Sequence, residues 1–175
     1  MKNKKILILD IDGIFTNGLH FYTKDWKLLK AFWSNDRFLI KKIIEKNIFE
    51  NIFCLTWDKT WNWIDISKRR IEKEIWLKLV SIKLEGYDSK IKYLKDVFWE
   101  EKLKNDIIYV WDDIADIPVI KKCFFSATVT NAPKLVKKYV NYISDYKWWE
   151  WWLTDILCYL LEYLWYDIEK ILDIN

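Results

Sequence analysis

The chain has 175 residues, of which 52% are hydrophobic and 31% are charged. This balance is typical of one globular domain with a sizeable apolar core, and it excludes a disordered or collagen-like chain. The 29 Lys and Arg against 26 Asp and Glu leave a net charge of +3 that is spread along the chain, so nucleic acid is not an expected partner. The first apolar run, residues 6–9, is too short for a secretory signal or a membrane span. We therefore expect a cytoplasmic protein without a membrane partner.

Short apolar runs alternate with stretches of helical periodicity along the chain. The runs predict buried strands at residues 6–9, 52–55, 79–82, 107–110 and 124–127. Helices are predicted at residues 36–46, 64–74, 89–98, 114–122 and 132–138, with a final packing helix at 153–164. This βα order predicts a parallel sheet covered on both faces, a Rossmann-like three-layer α/β/α fold. Residues 1–175 are expected to form a single domain, because no Pro-, Ser- or Gly-rich linker divides them.

One interruption follows the first strand directly. Residues 19–22 and 28–32 flank residues 23–27 like the two strands of a hairpin. A free two-stranded flap would leave too much apolar surface in water, since it carries Phe21, Tyr22, Leu28, Leu29 and Phe32. We expect neighbouring subunits to cover this surface. No stretch between the strands is long enough for a second, cap domain.

Polar side chains follow the strands where ligands bind to an open parallel sheet, outside the carboxyl ends of its strands. They are Asp10 and Asp12 after the first strand, Thr56 after the second, Lys90 at the start of the helix after the third, and Asp112, Asp113 and Asp116 after the fourth. Carboxylates that converge at one sheet edge repel each other unless a cation neutralises them, and oxygen ligands select a hard ion such as Mg²⁺.

Asp10 and Asp12 lie two residues apart at the first strand end, which allows them separate chemical roles. One carboxylate can attack phosphorus to form an acyl phosphate, while the other moves a proton and later activates water. Thr56 and Lys90 would supply a hydroxyl and a cation for the phosphoryl oxygens. The pattern predicts transfer of a phosphoryl group to water. For Asp112 or Asp113 taken alone, a helix cap is the competing interpretation.

Four segments, LILDIDGIFTNG, LTWDKT, YDSKIKYL and YVWDDIADIPVI, resemble the four motifs of the haloacid dehalogenase (HAD) superfamily of phosphohydrolases. The hairpin, the missing cap, KAFWSNDRFLIKKI and the tail VNYISDYKWWEWWLTDI look like its 3-deoxy-D-manno-octulosonate 8-phosphate (KDO 8-phosphate) phosphatase group. The resemblance covers nearly the whole chain. It implies a capless, magnesium-dependent homotetramer that acts on a small phosphorylated sugar acid.

The resemblance also implies a role for each residue of the site. Asp10 would be the nucleophile and Asp12 the general acid and base. Phosphate would be bound by Thr56 and Lys90, and the metal ligands would be Asp10, Asp112 and the backbone carbonyl of Asp12, with Asp113 and Asp116 supporting them. The alternatives are a phosphatase, or a module of a sugar-activating enzyme, for another acidic sugar phosphate such as an acylneuraminate 9-phosphate.

Tryptophan and glycine are present in unusual numbers, 13 and 3, where average usage predicts roughly 12 glycines. Tryptophan stands at turn positions and where the HAD pattern has glycine, as at Trp57, at Trp111 and in the doublets around Glu150. We hypothesise that a reassigned UGA codon for glycine has been translated as tryptophan. The alternative is a native aromatic surface that makes the chain a non-enzymatic binding protein.

The remaining reactive side chains are expected to be structural. Cys54, Cys123 and Cys158 sit singly in apolar stretches, which predicts buried, reduced thiols. The only histidine, His20, lies in the hairpin region and is expected at a surface or interface rather than in catalysis.

Overall fold

The computed structural model describes residues 4–24, 27–57, 61–83, 85–147 and 151–174. Its centre is a sheet of six strands, each hydrogen-bonded in parallel to its neighbours. In chain order these strands are β1 (Ile6–Leu9), β4 (Asn51–Thr56), β5 (Lys78–Ser81), β6 (Ile107–Val110), β7 (Phe125–Thr128) and β8 (Tyr142–Ile143). The five predicted strands are confirmed to within one residue, and β8 is an addition.

The strand order is β5-β4-β1-β6-β7-β8, so that β1 lies in the middle of the sheet. Both neighbours pair with β1 along its full length, β4 from Asn51 and β6 from Ile107. All four β1 side chains are buried, as expected for a strand covered on both faces. The residues that follow β1 are therefore held at the centre of the carboxyl edge.

Helices fill the connections between the strands. They are α1 (Asp36–Glu45), α2 (Trp61–Lys68), α3 (Ser89–Asp106), α4 (Ile117–Ile120), α5 (Lys134–Lys137), α6 (Trp152–Tyr163) and α7 (Ile168–Leu172). The chain continues from α2 as a π-helix over Arg69–Ile75, and a 3₁₀ helix over Ile114–Asp116 precedes α4. Because crossovers between parallel strands are right-handed, the reversal of strand order between β5 and β6 places α1 and α3 on opposite faces. No helix in the described ranges is long and apolar enough to cross a membrane.

The predicted interruption after β1 is a separate antiparallel pair, β2 (Phe21–Tyr22) with β3 (Lys27–Leu29). Phe21, Tyr22 and Leu29 are 50%, 64% and 55% exposed. Phe32 differs from the expectation, because its side chain packs against the core rather than facing solvent.

Four tryptophans have a backbone that favours glycine. Trp76, Trp99, Trp151 and Trp165 have φ values of 70°, 45°, 72° and 61°, in the left-handed region where a Cβ is unfavourable. In the described ranges, the other non-glycine residues with positive φ are an asparagine and an aspartate, two types that tolerate this region. Trp99 interrupts α3 with a non-helical ψ of 164°, so the helix predicted for residues 89–98 ends there and a second helical segment continues beyond it.

The three thiols are unpaired, as predicted, but only Cys54 is fully buried, whereas Cys123 and Cys158 are partly buried. Burial raises the pKa of all three thiols, that of Cys123 to about 12. This excludes an activated nucleophile among them. Trp152 of the predicted aromatic tail is buried in the core, while residues 148–150 of that tail lie outside the described ranges.

Candidate active site

The carboxyl ends of β1, β4 and β6 open into a cleft of about 500 Å³. Its lining residues are Asp10, Asp12, Gly13, Gly18, His20, Thr56, Trp57, Lys90, Trp111, Asp112, Asp113 and Pro133. The structure thus brings together all the site residues predicted from the sequence except Asp116, which lies behind the cleft wall. The topology explains this convergence, because β1 has β4 and β6 as its immediate neighbours.

Asp10 is a buried carboxyl at the end of the central strand. Its backbone N–H donates to the Val110 carbonyl at 3.1 Å, and the Ile11 N–H donates to Asp10 Oδ1 at 2.7 Å. Burial raises the pKa of Asp10 well above its usual range; the nearby Lys90 opposes this, and the neighbouring aspartates add to it. An added cation would therefore stabilise the ionised form.

Asp12 faces the cleft from the turn after β1. The Thr16 hydroxyl donates to Asp12 Oδ1 at 3.2 Å, and the Lys30 ammonium donates to Oδ2 at 2.9 Å. Gly13 follows Asp12 in this turn and has a φ of +83°. A Cβ added at Gly13 would collide with the carboxylate of Asp112. The turn therefore requires glycine for its backbone and for the space that Asp112 occupies.

Asp112 and Asp113 follow β6 but have different surroundings. Burial, followed by the charges of Asp116 and Asp113, raises the pKa of Asp112 to about 7. Asp113 is exposed and accepts a hydrogen bond from Ala115 N–H at 3.4 Å, as the cap of the 3₁₀ helix. The helix-cap interpretation is thus correct for Asp113, which also lines the cleft.

Lys90 and Asp116 form a buried ion pair at the back of the site, with Nζ 2.8 Å from Asp116 Oδ1. The Tyr109 hydroxyl donates to the same oxygen at 2.8 Å. Burial raises the pKa of Asp116 to about 7 although Lys90 and Tyr109 both lower it. Asp116 therefore fixes the position of the Lys90 ammonium rather than contacting a ligand in the cleft.

Two indoles enclose the same ammonium. Lys90 Nζ lies 2.9 Å from the ring centroid of Trp111 and 3.9 Å from that of Trp57. Trp111 is buried and stacks on Tyr109 with ring centroids 4.7 Å apart. Within the described residues, neither indole N–H has a hydrogen-bond acceptor. The aromatic rings thus cover the cation that a phosphate group would need.

Some residues of the site were not predicted from the sequence. His20, expected at a surface or interface rather than in catalysis, lines the cleft. Gly18 and Pro133 also line it, and Lys30 contacts Asp12 from behind. Lys30 lies 18 residues from Asp12 and meets it only because the chain returns after β3, which leaves no periodic signal in the sequence.

The donor set of the cleft fits a hard divalent cation. Asp10 and Asp112 offer carboxylate oxygens, and the pKa of each is raised first by burial and then by neighbouring aspartates. No group of three or more His, Cys, Asp or Glu side chains forms a metal cage in the described part of the chain. A site with one or two carboxylates, completed by carbonyl and water oxygens, is the arrangement that Mg²⁺ favours over softer ions.

Comparison with known proteins agrees with this geometry. No protein-family model matches the chain. The KDO 8-phosphate phosphatase KdsC of Salmonella typhi is 28% identical over 146 residues, which are 82% of this chain and 71% of the relative. KdsC of Haemophilus influenzae is 27% identical over 144 residues, 82% of this chain and 74% of the relative. The chain is similar to the KDO 8-phosphate phosphatase-like group of the HAD superfamily of phosphohydrolases.

Solved HAD structures share the fold. The structure of the KDO 8-phosphate phosphatase from Moraxella catarrhalis, in complex with magnesium, phosphate and KDO, has a TM-score of 0.73 at 17% identity, covering 92% of this chain and 87% of that one. The cobalt-bound phosphatase from Haemophilus influenzae has a TM-score of 0.72 at 24% identity, covering 91% and 88%. The α/β fold with its parallel sheet is therefore shared with these two phosphatase structures.

Proposed function

We propose that this HAD phosphatase hydrolyses KDO 8-phosphate with Mg²⁺ through an aspartyl-phosphate intermediate. The observation that carries the proposal is the convergence of Asp10, Asp12 and Asp112 with Thr56 and Lys90 in one cleft at the centre of the sheet edge. The relatives named KDO 8-phosphate phosphatase support the choice of substrate. An acylneuraminate 9-phosphate, another acidic sugar phosphate, is the alternative substrate.

The two acids after β1 divide the chemistry. An oxygen of Asp10 forms a bond to phosphorus while the bond from phosphorus to the sugar oxygen breaks. The electron pair stays on the sugar oxygen, which takes a proton from Asp12. Asp12 then removes a proton from a water molecule that attacks the phosphorus of the acyl phosphate, so that phosphate is released and Asp10 is regenerated.

The phosphoryl oxygens are bound by Thr56 and Lys90. Thr56 ends β4 inside the cleft, and Lys90 is held in place by its ion pair with Asp116. Asp10, Asp112 and the backbone carbonyl of Asp12 would hold Mg²⁺, which supplies charge neutralisation between the nucleophile and the phosphoryl group. Asp113 supports this loop as the cap of the following helix.

The active form is proposed to be a homotetramer of single-domain subunits spanning residues 1–175. The exposed apolar side chains of Phe21, Tyr22 and Leu29 support this assembly, because neighbouring subunits would remove them from water. A neighbour seated on the hairpin would also close the open side of the cleft. The cytoplasm stays the predicted location.

Phosphate release from KDO 8-phosphate tests the proposal directly. The purified chain and its Trp57→Gly, Trp111→Gly double variant are assayed with Mg²⁺ and with EDTA against KDO 8-phosphate, an acylneuraminate 9-phosphate and a neutral hexose 6-phosphate. We expect Mg²⁺-dependent turnover with the highest kcat/KM for KDO 8-phosphate. Equal kcat/KM for all three esters would contradict the substrate, and absence of turnover in both chains would contradict the function.

A further inference from the structure

The carboxylate of Asp12 is held by a lysine that does not line the cleft. Lys30 Nζ lies 2.9 Å from Asp12 Oδ2, and the side chains are 1% and 26% exposed. The ammonium is therefore buried behind a carboxylate whose other side faces the cleft. A buried ammonium is costly unless it is paired and hydrogen-bonded, so this contact needs an explanation beyond a surface ion pair.

Lys30 is anchored at a second point besides Asp12. Its Nζ donates to the hydroxyl of Ser67 at 3.0 Å, and Ser67 is a buried residue of α2. The chain next to Lys30 is also tied to the catalytic turn, because Phe32 forms an antiparallel bridge with Thr16. The ammonium is thus fixed by α2 and by the strand that returns from the hairpin.

We propose that Lys30 is a positioning residue that orients the carboxylate of Asp12 for proton transfer to the leaving oxygen. The inference rests on the proposed function. With Thr16 on Oδ1 and Lys30 on Oδ2, both oxygens are held and rotation of the carboxylate is restricted. Proton transfer depends on this orientation because the acid must lie within hydrogen-bond reach of the oxygen that leaves.

Leaving-group dependence distinguishes a positioning role from a structural one. p-Nitrophenolate leaves without a proton, whereas the alkoxide of a sugar phosphate needs one. Lys30→Met is expected to lower kcat/KM for KDO 8-phosphate by about 10²-fold, the range of general acid catalysis, and to change kcat/KM for p-nitrophenyl phosphate by only a few-fold. Lys30→Arg, which keeps a buried donor, should recover part of the loss. Lys68→Met, at an exposed lysine beside Ser67, is the matched control and should have no effect.

Equal losses on both esters, or no loss on either, would overturn the role of Lys30. If Lys30→Met does not fold, Ser67→Ala removes the second anchor but keeps the ion pair, and it should show a smaller loss that is again confined to the alkyl ester. Asp12→Asn separates the two proposals. If that variant shows the leaving-group difference and the Lys30 and Ser67 variants do not, the proposed function stands and the positioning role fails.

A different observation, the backbone of the tryptophans, supports a second inference. We also infer that glycine is the natural residue at positions 76, 99, 151 and 165, where a glycine codon has been translated as tryptophan. Each of these residues has a left-handed φ, and each indole is exposed, from 49% for Trp151 to 87% for Trp165. About half or more of each residue is thus in contact with water, so burial of the side chain does little to offset the unfavourable backbone.

The hydrogen bonds around Trp165 also form a pattern that favours glycine at this position. The N–H of Trp165 donates to the Glu162 carbonyl, and that of Tyr166 donates to the Leu161 carbonyl, at 2.8 and 2.9 Å. These two hydrogen bonds end α6 with Trp165 in a left-handed conformation directly after the C-cap residue Leu164. Glycine is the residue most often found at that position. Trp76 ends the π-helix in the same left-handed conformation.

Mass spectrometry of the protein isolated from its natural source decides the second inference. Trypsin releases residues 74–78 and 96–102, and each of these peptides contains one of the four tryptophans. We expect the mass of the glycine form for both peptides. Tryptophan in either peptide would overturn the inference at that position.

Stability measurements on the recombinant chain give a second test. Glycine at position 99 or 165 should raise Tm by about 2–4 °C relative to alanine at the same position, since alanine keeps the unfavourable Cβ. At Trp33, whose φ is not positive, alanine should be at least as stable as glycine. Equal Tm values for glycine and alanine at positions 99 and 165 would contradict the inference.

Discussion

The carboxylate of Asp112 lies in the space that a side chain on Gly13 would fill. The loop after β6 therefore closes against the turn after β1 only if residue 13 is glycine. Since Asp10 and Asp12 come before Gly13 in the same segment, this contact fixes where Asp112 lies relative to these two acids.

Gly13→Ala is expected to destabilise the chain and to abolish Mg²⁺-dependent phosphate release. The new Cβ meets the Asp112 carboxylate and stands at a φ of +83°, which alone costs about 1–2 kcal/mol. Gly86→Ala is the matched control, because its Cβ would lie 3.5 Å from Asp88 Oδ1, an ordinary contact. Thermal unfolding and phosphate release measure both effects. Normal activity of Gly13→Ala would disprove the contact.

Asp10→Asn is expected to lose turnover and to gain stability when metal is absent. The folded chain raises the pKa of Asp10 well above 3.8, so above pH 3.8 the folded state binds more protons than the unfolded state. Stability then falls as pH rises from that value through the raised pKa. The asparagine side chain does not ionise, so the Asp10→Asn variant does not lose stability in this way. In EDTA its Tm should therefore exceed that of the unsubstituted chain at about pH 8 and approach it at about pH 4. Near-normal phosphate release would show that Asp10 is not the nucleophile.

Mg²⁺ affinity is expected to weaken in acid. The pKa of Asp112 is raised to about 7 by burial and by neighbouring acids, and the metal binds only its ionised form. Below pH 7 the cation must displace a proton, which weakens apparent affinity by up to about tenfold per pH unit. Calorimetric titration at pH values on both sides of 7 measures this slope. Asp112→Asn should bind Mg²⁺ weakly at every pH. If the affinity of this variant changes with pH as steeply as that of the unsubstituted chain, the displaced proton belongs to a group other than Asp112.

Replacing Trp57 and Trp111 by glycine is expected to raise phosphatase activity. Both rings contact the Lys90 ammonium, and their removal opens it to the phosphoryl oxygens. Glycine at Trp148, Trp149 and Trp151, where the resemblance implies a flexible tail, should add to the gain, whereas Trp152 is kept because it is buried in the core. Trp165→Gly, at an 87% exposed residue, is the control and should leave kcat/KM unchanged. A fall in activity and soluble yield across the series would favour native tryptophans and a binding role.

The hairpin is expected to carry a subunit interface. Phe21→Glu with Leu29→Glu places charge on its exposed apolar side chains and should convert the proposed tetramer to smaller species in light scattering. Leu135→Glu, at a 42% exposed residue of α5, is the control and should leave the mass unchanged. A monomeric parent chain at micromolar concentration would contradict the assembly.

The sequence was sufficient to predict the parallel sheet and the position of most site residues. Central strands such as β1 and β6 are buried on both faces, so their apolar runs end at the first acid of the cleft, which is Asp10 after β1 and Asp112, one residue beyond Trp111, after β6. The carboxyl edge of a parallel sheet then brings these ends together without further information.

Contacts that depend on the exact path of a connection were not predictable. The pair formed by Lys30 and Asp12 depends on the return of the chain after β3, and the burial of Asp116 depends on the Tyr109 hydroxyl behind β6. The two-residue strand β8 is too short for any periodicity. The π-helix at Arg69–Ile75 carries the same apolar spacing as an ordinary helix, so the sequence predicted a helix there but not its type.

The central position of β1 has a consequence for synthesis of the protein on the ribosome. One edge of β1 can pair with β4 as soon as residues 51–56 emerge, but the other edge must wait for residues 107–110. During that interval the nascent chain presents an unpaired, apolar strand edge, the kind of surface through which chains aggregate. Slow translation between β4 and β6 would therefore prolong exposure to aggregation or to chaperones, while slow translation after β6 would not expose β1.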